Sequence, residues 1–384
     1  MAYRTVYGDP QNGFDIDLPW EYHNDYRLRN TIYPLFHALP MFLLKWTGLD
    51  TNFAIRVCPY VVHSLLVIVG DLYLWRIGKN TVGKEATMVA FVFYLTNRVQ
   101  NSLISRPFTN SVEEILTIVA FWFYQKVDNK LTSHTAVFTA LVSIQFMMRN
   151  TSPIGWIPLL FIKVFKHGAF IPFLICAITV ALPIVVGSTY LDSWFYSQGR
   201  EFEWTFTGLN FLRINVVEGL SKYFGDHPWW FYVAVFGPAM FTVIYPLVLY
   251  GVYFLTKEQL NRKQSPDMMY MTMFYVLVFS LIGHKEKRFL LPIFAFCVLA
   301  VGYLLVRKAK VWKNRVACII YFSVVVEILI QAFYHLHHKL WVFTDFMTAN
   351  GVQPHSFFTM KRFDQPWYSN LHTNSANKTH LILS

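Results

Sequence analysis

The sequence predicts an all-α polytopic membrane protein, and three observations support this fold class. Only 14% of the residues are charged and 55% are hydrophobic, whereas a soluble protein has about 25% charged residues. The mean hydropathy is +0.36, and several apolar runs approach the roughly 20 residues that an α-helix needs to cross a bilayer. These values exclude a disordered chain and, despite a net charge of +11, a nucleic-acid-binding domain.

The apolar runs define the predicted spans. Five runs are close to full span length, at 55–75, 169–187, 229–255, 289–306 and 316–333. Five shorter runs, at 86–95, 112–127, 135–148, 154–165 and 268–283, are predicted to be tilted, bent or partly shielded spans. We therefore expect a transmembrane bundle of about ten spans over residues 55–334.

Basic residues in alternate loops predict the orientation of the bundle. Lys and Arg are concentrated in one set of loops, including the segments 257–263 and 307–315, and such an excess is typical of cytosolic loops. The other loops and both termini are predicted to face the lumen or the exterior. On that side we expect the segment 1–54, a loop at 188–228 and the carboxy-terminal tail 335–384.

The amino-terminal segment 1–54 is predicted to be a luminal loop with one interfacial helix. Residues 1–31 are polar, and no apolar stretch follows Arg4, so no signal peptide is predicted. The apolar run 35–46 is too short to cross a bilayer and is predicted to lie along its surface. A polar luminal segment needs a preceding span to place it there, so we expect a span upstream of Met1.

A charged block interrupts two apolar runs on the predicted luminal side. It reads His-Lys-Glu-Lys-Arg at 284–288, and ionisable residues at a membrane boundary are costly to bury. If the block is helical, His284 and Arg288 share one face. Two interpretations are open, because the block could serve chemistry or could be an interfacial charged turn whose basic side chains anchor two helix ends.

Two other luminal clusters also have a functional and a structural interpretation. Arg106 and Glu113 flank the start of a predicted span, where an acid in the first turn is favoured by the helix dipole. Asp15, Asp17 and Glu21 lie in the amino-terminal loop, where one could contact an acceptor. Solvated loop acids are the alternative for this second cluster.

The block 283–292, Gly-His-Lys-Glu-Lys-Arg-Phe-Leu-Leu-Pro, resembles the His-Lys-Glu-x-Arg-Phe signature of dolichol-phosphate-mannose-dependent mannosyltransferases of glycosyltransferase family 22. Further similarity lies at 108–118, 156–160, 223–229 and 364–372, so the resemblance extends over nearly the whole chain. It implies a GT-C-type multi-span helical bundle with luminal loops and interfacial helices. Within the family, the motifs are most similar to enzymes that add the third mannose of the glycosylphosphatidylinositol (GPI) core.

The resemblance also implies an inverting α-1,2-mannosyltransferase of the endoplasmic reticulum membrane whose catalytic face is luminal. Dolichol-phosphate-mannose would be the donor and a GPI glycolipid the acceptor, in contact with membrane lipids and without nucleic acid. A departing phosphate needs cationic or hydrogen-bonding partners. The candidates for this contact are His284, Lys285, Arg288 and Arg106, and Glu286 would orient one of them through a charge-assisted bond.

No cofactor is predicted, and the metal expectation is also negative. No Cys/His spacing in the chain suits zinc. Asp15 and Asp17 form the one Asp-x-Asp pair considered for a divalent metal, and the family's lipid-phosphate donors generally need none.

The chain departs from the family pattern in two places. Relatives have a first span followed by a luminal Asp-Glu motif that is expected to carry the catalytic base. This sequence opens just downstream of that motif, so the base is expected upstream of Met1, and the carboxy-terminal tail is expected to be short as well. At Arg149-Asn150-Thr151, relatives commonly have Arg-Pro-Thr.

Three other functions are weighed against the GPI mannosyltransferase. A mannosyltransferase that acts on lipid-linked N-glycan precursors would share the same motifs. A non-catalytic fragment or pseudoenzyme would explain the missing acidic motif. A secondary transporter would also have about ten spans, but it usually shows an internal repeat and ionisable or broken helices at mid-membrane, whereas the polar clusters here lie at one membrane face.

Overall fold

The computed structural model describes residues 2–7, 19–104, 106–197, 201–219, 225–312 and 314–337. All regular elements within these ranges are helical, and none is a strand. This agrees with the predicted all-α class. In lipid, a helix satisfies its backbone hydrogen bonds within one segment, which an isolated strand cannot do.

The amino-terminal region contains two helices and one 3₁₀ turn. Helix α1 (Ala2–Tyr7) lies within the segment predicted to be a polar loop, and the turn Trp20–Tyr22 follows. Helix α2 (Ile32–Thr47) contains the predicted apolar helix 35–46 and ends at Gly48, whose φ is 70°. Residues 2–7 are therefore more ordered than their polarity predicts, because the Tyr7 hydroxyl donates to the Met41 carbonyl, 3.3 Å away, and thereby joins α1 to α2.

The next five helices build one side of the bundle. They are α3 (Asn52–Thr81), α4 (Lys84–Thr96), α5 (Arg98–Ile104), α6 (Thr109–Tyr124) and α7 (Ser133–Met148). Thr51 caps α3 by accepting a hydrogen bond from the Ala54 amide at 3.2 Å, the usual role of Thr at this position. The predicted runs at 55–75, 86–95, 112–127 and 135–148 lie within or overlap these helices.

The middle of the chain is helical but irregular. A 3₁₀ turn (Ser152–Trp156) leads into α8 (Ile157–Phe161) and a π-helical turn (Ile162–Lys166). One continuous helical stretch then comprises α9 (Phe170–Cys176), a π-helical turn (Ala177–Ala181) and α10 (Leu182–Tyr196). The loop predicted at 188–228 therefore begins later than expected, after Tyr196. It also contains α11 (Thr207–Leu212) and a further π-helical turn (Arg213–Val217).

The carboxy-terminal part completes the bundle. A π-helical turn (Tyr232–Phe236), α12 (Gly237–Phe241), a 3₁₀ turn (Thr242–Ile244) and α13 (Tyr245–Asn261) form one bent rod. It is followed by α14 (Asp267–Leu281), a 3₁₀ turn (Lys287–Leu290), α15 (Leu291–Trp312) and α16 (Asn314–His337). The tail 338–384, with the predicted motif at 364–372, lies outside the described residues.

Four helical stretches among the described residues are long and apolar enough to cross a membrane: Asn52–Thr81, Phe170–Tyr196, Tyr232–Asn261 and Lys287–Ala309. They match four of the five long runs, and the fifth lies within α16. In the most apolar part of Lys287–Ala309, 89% of the residues are buried, compared with 11% in that of Phe170–Tyr196. It is therefore the centre of the bundle, packed against α4, α6 and α13.

Candidate active site

The charged block lies in the connection between α14 and the 3₁₀ turn that precedes α15. Residues 283–286 are not helical, so His284 and Arg288 do not share a helix face as they would in an α-helix. The block instead pairs with another loop, because the His227 amide donates to the Gly283 carbonyl at 3.0 Å. A Cβ atom at residue 283 would lie 2.5 Å from an Asp226 carboxylate oxygen. A larger residue at this position would therefore displace the Asp226 side chain.

Glu286 is the centre of the block. One carboxylate oxygen lies 3.1 Å from His284 Nε2 and accepts a hydrogen bond from Arg288 Nη2 at 2.8 Å. The other oxygen lies 2.5 Å from Arg288 Nε. Burial alone would raise the pKa of Glu286, but the hydrogen bond from His284 and the positive charge of Arg288 lower it to about 2. The predicted orienting role of Glu286 therefore has a geometric basis toward two partners.

His284 faces an acceptor at each ring nitrogen. Its Nε2 faces the Glu286 carboxylate, and its Nδ1 lies 3.3 Å from the Gly225 carbonyl. A neutral imidazole carries one N–H and only the imidazolium carries two. The loop thus orients the His284 ring beside Arg288, with an N–H directed at the Glu286 carboxylate or at the Gly225 carbonyl.

Lys285 has a different environment from its neighbours. It is 3% exposed, and its ammonium donates to the His227 carbonyl at 2.9 Å and to the Ile282 carbonyl. Burial lowers the pKa of Lys285, and the negative charge of Asp226 opposes this shift. In this position the ammonium joins the charged block to the loop before α12.

The floor of the site is built from α6 and the π-helical turn Tyr232–Phe236. Asn110 Nδ2 donates to the Arg288 carbonyl at 3.3 Å, and the Arg288 guanidinium lies 5.7 Å from the centroid of the Phe108 ring. The Glu286 amide donates to the Tyr232 hydroxyl at 3.4 Å. These contacts explain why the motif at 108–118 and the charged block, far apart in sequence, belong to one site.

Glu113 lies behind this floor rather than at a helix start. Helix α6 begins at Thr109, so Glu113 is past the first turn, and the interpretation as a dipole-favoured first-turn acid is wrong. The Glu113 carboxylate is buried and lies 2.6 Å from Arg149 Nε. The Arg149 guanidinium in turn lies 4.7 Å from the centroid of the Phe289 ring. Glu113 thus supports the block through Arg149.

The amino-terminal loop reaches the same site. Arg29 Nη2 donates to Glu21 at 2.5 Å. Burial alone would lower the pKa of Arg29, but the Glu21 carboxylate and, more weakly, the Glu286 carboxylate raise it. Of the three predicted acceptor-loop acids, Glu21 therefore pairs with Arg29, whose positive charge also interacts with the Glu286 carboxylate. Asp15 and Asp17 lie outside the described residues.

Asp192, at the end of α10, holds the amino-terminal loop in place. Its carboxylate accepts hydrogen bonds from the Thr31 amide at 2.8 Å, the Thr31 hydroxyl at 2.8 Å, Asn30 Nδ2 at 2.6 Å and the Thr207 hydroxyl at 3.2 Å. Asp192 is fully buried. A buried carboxylate with four donors is well compensated, so it joins the loop, α10 and the start of α11.

Arg106 lies at the edge of the site. Its side chain is exposed. The positive charges of Arg106 and Arg98 repel the ammonium group of Lys287. The geometry thus adds a positive region beside the block, without a direct bond from Arg106 to Glu286 or His284 among the contacts described. In the described part of the chain, no group of three His, Cys, Asp or Glu side chains is arranged to hold a metal ion.

Residues 15–372 match the Alg9-like mannosyltransferase family. The chain belongs to that family. The relatives of this Alg9-like chain include GPI alpha-1,2-mannosyltransferase 3 of Bos taurus, 27% identical over 92% of the chain and 64% of the relative, and that of Homo sapiens, 27% identical over 92% and 62%. The chain therefore spans slightly less than two thirds of the length of these two relatives.

A solved structure supports the fold of this Alg9-like chain. ArnT from Cupriavidus metallidurans, crystallised bound to undecaprenyl phosphate, superposes with a TM-score of 0.55 over 73% of this chain and 50% of ArnT. The sequence identity is 13%, so the likeness concerns the fold. The predicted GT-C-type helical bundle is confirmed.

Two site residues of this Alg9-like chain were not predicted from sequence. Asp192 follows a long apolar run, and an acid at such a place signals either a functional group or a buried polar anchor. Arg149 was noted only as part of an unusual triplet, and its pairing with Glu113 joins residues far apart in the chain. A search for buried ionisable residues at span ends could have found Asp192, whereas the Arg149 pairing needed the tertiary structure.

Proposed function

We propose that this protein is an α-1,2-mannosyltransferase that transfers the third mannose from dolichol-phosphate-mannose to a GPI precursor. The observation that carries the proposal is the charged block at 284–288, in which Glu286 contacts both Arg288 and His284. The block belongs to a chain of the Alg9-like mannosyltransferase family. The names of the bovine and human relatives support the same activity.

The site binds the donor phosphate through the oriented side chains of Arg288 and His284. Arg288 is 36% exposed and keeps donors beyond those facing Glu286, so it can bond to a phosphate oxygen. His284 supplies a second hydrogen-bonding group beside Arg288, and Arg106 lies at the edge of the same region. As the bond between mannose and phosphate breaks, negative charge grows on the phosphate, and preoriented cations stabilise that charge. Lys285 positions the block through its two carbonyl contacts.

Glu286 is a poor candidate for the catalytic base. A general base works best when its pKa is near the operating pH, and the pKa of Glu286 is lowered to about 2. It therefore acts as a positioning residue for Arg288 and His284. The acceptor hydroxyl gives its proton to another carboxylate, and Glu21, which lies beside Arg29, serves the acceptor side of the site.

We place this site on the luminal face of the endoplasmic reticulum membrane. The basic segments 257–263 and 307–315 lie at the other ends of their helices and favour the cytosol. A polyprenyl phosphate donor agrees with the undecaprenyl phosphate bound to ArnT. Helix α2 exposes Leu39, Phe42 and Trp46 on one side, which suits a helix lying at the membrane surface.

The proposal is tested by complementation of cells that lack the third GPI mannosyltransferase. We expect expression of this protein to restore GPI-anchored proteins at the cell surface and to remove the accumulated precursor with two mannoses. Surface GPI proteins are measured by flow cytometry, and lipid precursors by labelling with radioactive mannose. A well-expressed, membrane-inserted protein that leaves the two-mannose precursor in place would contradict the proposed step.

A parallel complementation experiment distinguishes the proposed GPI activity from the related N-glycan activity. Cells lacking each lipid-linked N-glycan mannosyltransferase of the family are transfected in parallel, and their oligosaccharide precursors are sized. We expect no correction of these precursors. Correction there, without recovery of GPI proteins, would assign the chain to the N-glycan branch.

A further inference from the structure

A cleft lies at the membrane face opposite the charged block. The rod Tyr232–Asn261 and the central stretch Lys287–Ala309 run side by side in the same direction. The Phe254 ring lies tilted beside the Tyr303 ring, 6.2 Å between centroids, and Glu258 lies 3.4 Å from Arg307. Their carboxy-terminal ends therefore lie together. The charged block is at the start of the second stretch, and the helical rise to Arg307 is about 30 Å. This distance is about the thickness of a bilayer core.

The two helices pack closely enough to make the cleft part of the fold. A Cβ atom at Gly251 would lie 2.9 Å from the Ala300 carbonyl oxygen, so glycine allows the backbones to approach. Beyond this contact the helix ends leave a cleft of about 420 Å³. Pockets for small ligands have volumes of about 300–1,000 Å³, and this cleft is within that range.

The cleft combines basic and aromatic side chains. Its lining includes Tyr253, Phe254, Lys257, Glu258, Arg262 and Lys308. Glu258, the one acid in that lining, lies 2.5 Å from Arg262 and also contacts Arg307. In the part of the chain that the structure describes, Lys257 and Lys308 form no ion pair with an acid. The cleft therefore keeps an excess of positive charge.

The two lysines lie against aromatic faces. The Lys308 ammonium is 5.0 Å from the centroid of the Phe254 ring, and the Lys257 ammonium is 5.9 Å from that of Tyr253. Tyr253 is 58% exposed, as expected for an aromatic residue at the boundary between lipid and water. The lining thus combines ammonium groups with aromatic rings, which suits a ligand with an anionic head and a lipid body.

We propose that this cleft binds the headgroup of an acidic phospholipid, such as phosphatidylserine, on the membrane face opposite the charged block. A second cleft of about 410 Å³ lies next to it and is lined by Lys166 and Lys263 but by no acidic residue. Both clefts are therefore positively charged and favour anions. Basic pockets between span ends are suited to acidic headgroups. Lipid binding in this cleft is independent of mannosyl transfer at the charged block.

The test measures lipid binding to the purified protein in neutral detergent by native mass spectrometry. Phosphatidylserine and phosphatidylcholine with the same acyl chains are added, and the bound lipids are counted. We expect a preference for phosphatidylserine that the double variant K257Q/K308Q weakens by about 10–30-fold. The matched control K79Q/K84Q removes two exposed lysines elsewhere in the bundle and is expected to bind as the wild type does.

Two further arms keep the result interpretable. The charge-conserving variant K257R/K308R is expected to bind phosphatidylserine like the wild type, and size-exclusion chromatography checks that every variant is folded. Water-soluble glycerophosphoserine is expected to compete poorly, because it lacks the lipid body. Equal binding of the two lipids to the wild type, full retention by folded K257Q/K308Q, or glycerophosphoserine binding as tight as that of the lipid would each overturn the proposal.

Discussion

Arg149 and Glu113 form a buried ion pair, with 2.6 Å between Arg149 Nε and a Glu113 carboxylate oxygen, directly behind Phe289 of the charged block. Arg149 follows α7 and Glu113 lies in α6, so the pair joins two helices and supports the site from inside the bundle. Tyr275 adds a hydrogen bond to the same carboxylate at 3.4 Å. A buried ion pair therefore packs against the block from inside the bundle.

Breaking this pair should destabilise the protein strongly. We expect Glu113→Gln or Arg149→Met to lower the free energy of unfolding by about 3–5 kcal/mol, because each change leaves a buried charge without its partner. The double variant should lose less than the sum of the two changes, since no lone charge remains. Thermal unfolding in detergent measures the effect. The exposed pair Arg213 and Glu218, 2.8 Å apart, provides the control, and Arg213→Gln should change stability by less than about 1 kcal/mol.

Mannose transfer should depend on His284 and Arg288 and not on the neighbouring Lys287. We expect His284→Ala and Arg288→Ala each to reduce mannose transfer by about 10²–10³-fold, the usual cost of losing one preorganised donor. Arg288→Lys should recover only part of the activity, because Lys lacks the forked donors of Arg. Lys287→Gln is the matched control, since Lys287 is exposed within the same block. Microsomal transfer from labelled dolichol-phosphate-mannose, normalised to protein amount, is the measurement, and activity of Arg288→Ala equal to that of Lys287→Gln would remove Arg288 from the site.

The ionisation of Glu286 gives a prediction about pH. Its pKa is lowered from an ordinary 4.5 to about 2, so its carboxylate contacts stabilise the fold fully above pH 4.5. That stabilisation is lost as the pH falls from about 4.5 through 2. We therefore expect the difference in melting temperature between wild type and Glu286→Gln to be constant from pH 5 to 7 and to shrink below pH 4.5. A difference that already changes between pH 6 and 7 would show that another group controls it.

Asp192 should control the order of the amino-terminal loop. We expect Asp192→Ala to cost at least about 2 kcal/mol, because several buried donors lose their acceptor. Hydrogen exchange of the Thr31 amide, which donates to Asp192, should become faster. Asp128→Ala serves as the control, since Asp128 is exposed and accepts a local hydrogen bond from the Lys130 amide at 2.9 Å. Unchanged exchange at Thr31 in Asp192→Ala would contradict the proposed anchoring.

The sequence by itself determined the class of this protein, four of its long apolar helices and the position of its charged block. Apolar runs of span length have few alternatives to helices, since lipid offers no partner for backbone groups, and the runs at 55–75 and 289–306 lie within long helices as predicted. The block at 284–288 was recognisable because five polar residues between two apolar runs are costly without a purpose. Composition and local pattern were sufficient for these conclusions.

Only the tertiary structure decided which groups act together. The loop conformation of residues 283–286, the burial of Lys285 and the pairing of Glu113 with Arg149 depend on contacts between segments distant in sequence. The parallel approach of α13 and α15, which gathers Lys257 and Lys308 into one cleft, also depends on packing at Gly251. The periodicity of apolar residues indicates the conformation of one segment. Charge pairing and burial depend on the other segments that the fold packs against that segment.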